Sequence, residues 1–121
     1  MNKILIVDDE EEMQLFYKEL LKDSYKLFFF KNVNQINKFL TDNEINLMLL
    51  DLMLSKEDCF GLLNKIKCIK KCKNLKIIVI SCDGYADQLK KIYPDISIFK
   101  KSFDKKKILN EIKNIMQTVM L

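Results

Sequence analysis

The chain alternates between short, unbroken apolar runs and longer stretches whose apolar residues recur every three or four positions. Ile4–Val7, Leu47–Leu50 and Ile77–Ile80 are runs of the first kind, without the polar alternation of a half-solvated strand. Such runs fit parallel strands covered on both faces. Tyr25–Phe30 and Ile96–Phe99 are weaker runs, expected at or near the edges of a sheet. Between them, Met13, Phe16, Tyr17, Leu20 and Leu21 place one apolar stripe along one side of a helix. Ile36, Phe39 and Leu40 predict a second helix, Leu62, Leu63, Ile66 and Ile69 a third, and Tyr85 to about Ile92 a short fourth. Ile108, Leu109, Ile112, Ile115, Met116 and Val119 predict the last. Strand and helix alternate five times over the 121 residues. That pattern predicts an α/β fold, a doubly wound five-stranded parallel sheet with five helices, as one domain over 1–121.

Composition narrows the class. Apolar residues make up 49% and charged residues 31%, the balance of a globular chain rather than a disordered one. No apolar run approaches the roughly 20 residues of a membrane helix, and the first is too short for a signal peptide. Four cysteines without a secretory signal point to a reducing compartment, so a cytoplasmic protein is expected. The last helix runs into the C-terminus, and no output domain is read within the chain.

The net charge is +4, and all 21 basic residues are lysine. Nucleic-acid readers favour arginine, whose planar fork pairs bidentately with guanine and phosphate. Lysines scattered along the whole chain read as solvated surface, and no direct nucleic-acid binding is expected. Histidine is absent altogether. That excludes a histidine general base, a Ser–His pair and a His-ligated zinc within this chain.

Ligand sites in open α/β sheets lie beyond the carboxyl ends of the strands. The first run ends in Asp8-Asp9, the third in Asp51, the fourth in Ser81 and the fifth in Lys100-Lys101. If these strands are neighbours, three carboxylates, a hydroxyl and an ammonium meet on one rim. Crowded carboxylates with hard oxygen donors suit Mg²⁺. The bland alternative for DDEEE is a set of helix N-terminal acids. That covers Glu11 and Glu12, and Glu10 less well, but not Asp8 and Asp9. Asp51 sits between LMLL and LML, where an ionised carboxylate needs a partner.

With these residues in this order, the chain resembles the receiver domain of bacterial two-component response regulators over essentially its whole length. The resemblance implies a flavodoxin-like strand order 2-1-3-4-5 and Asp51 as phosphoacceptor. It implies Mg²⁺ held by Asp9 directly, Asp8 through water, Asp51 and the backbone carbonyl of Met53. Ser81 takes the place of the switch hydroxyl and Lys101 that of the phosphoryl-binding lysine. With no histidine in the chain, a sensor histidine kinase or phosphotransfer protein must supply the phosphoryl group. The implied output face is the fourth helix, fifth strand and fifth helix, which would contact an output domain or partner protein, a phosphorylation-dependent homodimer being a further option. The domain would catalyse its own phosphorylation and slow dephosphorylation, without turning over an external substrate.

The chain departs from the family pattern in several places, among them a stretch from Ser81 to Lys101 that is a little short and lacks the usual Gly-Ala. Ser55 stands where a loop proline is usual, and Cys59 where a glycine is, which places a demanding turn at Cys59. Ile98 replaces the switch aromatic, with Phe99 or Tyr85 as substitutes. Ser102 follows Lys101 where a cis-proline is usual, and a cis bond there would cost about 2.5–4 kcal/mol. The competing reading is a pseudo-receiver, an interaction module that keeps the fold without the phospho-switch. Cys68 and Cys72 read as free helix thiols, Cys59 and Cys82 as thiols in loops of the rim, and the lysines between Lys65 and Lys76 as a solvated helix end.

Overall fold

The computed structural model describes residues 2–51, 55–81, 86–101 and 104–117, with only the backbone of Lys56. Every apolar run becomes a strand: β1 (Lys3–Val7), β2 (Lys26–Phe30), β3 (Leu47–Asp51), β4 (Lys76–Ser81) and β5 (Ser97–Lys100). All pair in parallel, in the order β2-β1-β3-β4-β5. The two weaker runs, β2 and β5, are the edges. The unbroken runs lie between them, where both faces must be covered.

The helices are α1 (Glu11–Leu21), α2 (Ile36–Asp42), α3 (Lys56–Ile66), α4 (Ala86–Ile92) and α5 (Lys105–Gln117). Strand alternation sends neighbouring residues to opposite layers. Leu5, Val7, Met48, Leu50 and Val79 pack under α2, α3 and α4 with Ile36, Leu40, Leu63 and Leu89. Ile4, Ile6, Leu47, Leu49, Ile78 and Ile80 pack under α1 and α5 with Met13, Tyr17, Leu21, Ile108 and Ile112. The sheet is therefore wound on both sides. Each such side chain, fully buried, contributes about 1.5–3 kcal/mol of transfer free energy.

Several boundaries differ from expectation. The third helix stops at Ile66 rather than including Ile69, because the chain tightens: the amides of Cys68 and Ile69 donate to the carbonyls three residues back, at 3.0 Å each. A 3₁₀ turn, Lys70–Cys72, follows. Cys68 therefore lies just past α3 and Cys72 in that turn, both as free thiols. Cys59 is not in a loop and needs no special turn. It is a fully buried residue of α3, reached because Ser55 caps the helix early, its Oγ accepting from the Asp58 amide at 3.1 Å. Among the described residues other than glycine, only Gln35, preceding α2, has a positive φ, 66°. Tyr85, Cys82, Val119 and the Lys101–Ser102 bond lie outside the described residues.

Candidate metal centre at the carboxyl ends of the strands

The register brings the predicted residues together. Val7 pairs with Leu50 and Asp51 with Ile80, so the ends of β1, β3 and β4 are level. Ser81 pairs with Lys100, and the Lys101 amide donates to the Ser81 carbonyl at 2.8 Å, carrying the lysine to the same rim. Asp8 is fixed through its backbone. Its amide donates to Phe30 O at 3.0 Å, and its carbonyl accepts from Gln14 Nε2 at 2.8 Å. Its side chain accepts from the Glu10 amide at 2.9 Å, which turns the chain into α1.

Asp8, Asp51 and Ser81 are buried, whereas Asp9 and Glu10 are exposed. Asp8, Asp9, Glu10 and Asp51 each offer a carboxylate oxygen, and these oxygens lie within 4.8 Å of one another. An all-oxygen donor set with buried acids on the sheet side and exposed ones on the solvent side fits a hard divalent cation that keeps water ligands. Met53, the proposed carbonyl donor, lies outside the described residues.

The electrostatics show what the acids cost each other without a cation. Burial pushes the Asp8 carboxyl from its ordinary 3.8 up to about 6, and the charge of Asp51 adds to the rise. The Glu10 amide and the Lys101 ammonium oppose it without winning. Desolvation would lower the pKa of Lys101, but its hydrogen bond to Glu10 and the charges of Asp51, Glu10 and Asp8 more than offset this, and the ammonium is held charged. Tyr17, on the buried face of α1, has its phenol raised by burial and by Asp8 and Asp51, so it stays neutral behind the site.

Three contributors were not assigned from the sequence. Glu10, read as a weak helix-dipole acid, accepts from Lys101 Nζ at 2.9 Å and joins the carboxylate cluster. A third consecutive acid was the only signal. Gln14 holds Asp8 through its amide, and Tyr17 lies behind it. Both were hidden within a regular helical pattern. At β5, Phe99 packs in the α1–α5 layer while Ile98 is half-buried.

Known proteins resemble this chain in sequence and in fold. The chain is 28% identical over 117 residues to the sporulation initiation phosphotransferase F of Bacillus subtilis, covering 94% of this chain and 93% of that protein. Its fold superposes on the Vibrio cholerae chemotaxis protein CheY4 with a TM-score of 0.83 at 15% identity, covering 95% and 98% of the two chains. Thermotoga maritima response regulator TrrA, solved in complex with Mg(2+)-BeF, gives a TM-score of 0.78 at 24% identity, covering 95% and 99%. No helix among the described residues is long and apolar enough to cross a membrane. The response regulator receiver domain model matches residues 4–113, and the chain belongs to that family.

Proposed function

We propose that this receiver domain takes a phosphoryl group on Asp51 from a phosphohistidine of a partner kinase or phosphotransfer protein, with Mg²⁺ as the cation. The observation that carries the reading is the meeting of four carboxylates, including buried Asp51 and Asp8, with Ser81 and Lys101 on one rim. Asp9, Asp51 and, through water, Asp8 would hold the cation, with the Met53 carbonyl. When bound, it supplies positive charge between a carboxylate nucleophile and the phosphoryl oxygens. The Mg(2+)-BeF complex of TrrA supports that choice.

The protein's own groups do the rest. An Asp51 oxygen attacks phosphorus in line, an O–P bond forms as the donor's P–N bond breaks, and the departing imidazole recovers its proton from solvent. Lys101 lies close enough to Asp51 for their charges to interact, and its ammonium moves from Glu10 to a phosphoryl oxygen. The Ser81 hydroxyl donates to another. Ser81 and Lys101 both lead into α4, β5 and α5, which we assign as the output face toward a partner or output domain. The domain serves as a switch and turns over no external substrate. Incubation with Mg²⁺ and acetyl phosphate tests the reading. Mass spectrometry should place one phosphoryl group on Asp51, with none on Asp51→Asn. An unmodified Asp51 under these conditions, with Mg²⁺ bound, would favour the pseudo-receiver.

A further inference from the structure

Away from the acidic rim, at the other end of the sheet, the described residues form a concavity. It is a groove of about 770 Å³ between the C-terminal ends of α3 and α4, where β4 and β5 begin. Its floor is apolar, with Ile66, Ile69, Ile77 and Ile96, and it continues over Ile92, which is 52% exposed on α4. Beyond Ile92 a second hollow is lined by Phe60, Gln88 and Lys91, so the apolar strip runs along α4.

The walls are tied together, so the groove is preformed. Tyr93 donates its hydroxyl hydrogen to Asn64 Oδ1 of α3, and Lys67 Nζ stands 4.3 Å from the centre of the Tyr93 ring. Lys90 donates to the carbonyl of Pro94 at 2.8 Å. The rim is strongly basic. Lys67, Lys70 and Lys73 line it, all exposed, against the single acid Asp95. A lysine in the last turn of α3 or just past it complements that helix end. Lys70 and Lys73 stand in and after the following 3₁₀ turn, and the helix end does not account for them.

We propose that this groove docks an acidic amphipathic helix of a partner protein. The apolar floor takes its apolar face, and Lys70 and Lys73 pair with acidic side chains flanking that face. A lipid tail fits less well, because the groove is open along its length and would leave one side of the tail in water. A nucleic-acid strand would need exposed stacking aromatics, and Tyr93 is buried. The groove lies at the opposite end of the sheet from the acidic rim and shares only α4 and the entry to β5 with the proposed output face.

The test uses the whole chain and two synthetic 16-residue helical peptides with the same leucine stripe, one flanked by glutamates and one by lysines. Cys68, exposed and lining the groove, is the built-in reporter. The glutamate peptide should slow alkylation of Cys68 by N-ethylmaleimide, read by mass spectrometry, and should bind at least tenfold tighter than the lysine peptide. Its affinity should fall several-fold from 50 to 300 mM salt as the rim charges are screened. Lys70→Glu/Lys73→Glu, at exposed positions, should reverse the preference while leaving Asp51 phosphorylation unchanged. Equal binding of both peptides, or unaltered Cys68 alkylation with the glutamate peptide, overturns the proposal. So does protection of Cys68 by anionic vesicles or a single-stranded oligonucleotide with none by the peptide.

Discussion

Glu10 and Lys101, 91 residues apart, are joined by a 2.9 Å hydrogen bond from Nζ to Oε1 across the mouth of the acidic rim. The pair holds the ammonium beside the carboxylates, but on the solvent side of them. The Glu10 side chain is 50% exposed, so the bond contributes little to stability, under about 1 kcal/mol. We expect Glu10→Gln to leave the melting temperature nearly unchanged and to speed labelling by acetyl phosphate several-fold. Removing that charge lessens repulsion of an anionic donor and releases Lys101. A labelling rate equal to or below wild type would show that Glu10 does not restrain the lysine.

Asp9 is the exposed acid expected to ligate the cation directly. Asp9→Asn should abolish both Mg²⁺ binding, measured by titration calorimetry, and phosphorylation at Asp51, with circular dichroism unchanged. Wild-type labelling in that variant would remove Asp9 from the metal site.

Asp8 makes the metal-free domain pH-sensitive. Its folded-state carboxyl titrates at about 6 against an ordinary 3.8, so between these values the folded chain holds a proton that the unfolded chain has lost. Stability from this group is present at the low end and falls as pH rises from about 4 through 6. Urea unfolding in the presence of a chelator should show that decline, and Asp8→Asn should flatten it. Saturating Mg²⁺ should reduce the decline, because the cation replaces the proton. A metal-free wild type whose Asp8-dependent stability rises over this window contradicts the assignment.

Gln35 holds a left-handed backbone, φ 66°, at the entry to α2. That region costs a residue with a β-carbon about 1–2 kcal/mol, and glycine enters it freely while gaining entropy when unfolded. Gln35→Gly should therefore stabilise the domain by a net of about 0.5–1 kcal/mol in urea unfolding. A loss of stability would mean that the Gln35 side chain contributes more than its backbone costs.

Much of this protein was legible from its one-dimensional pattern. Short, unbroken Ile- and Val-rich runs such as Ile4–Val7, alternating with helical stretches, read as strands covered on both sides. Residues at their ends had to share a rim once the strands lay level. Asp8, Asp9, Asp51, Ser81 and the Lys100-Lys101 pair were placed there on that basis, because period and position survive translation into a sheet, and the family resemblance singled out Lys101. Other features depended on contacts that no local pattern encodes. Glu10 acquires its role from a lysine 91 positions away, and Gln14 and Tyr17 from strand ends that pack against α1. Cys59 left its expected loop because the Ser55 cap starts α3 early enough to carry it into the core. The basic groove exists only because α3 ends at Ile66 and the lysines after it turn toward α4. Spacing fixes which face a residue occupies, but which distant face it meets depends on how the layers close.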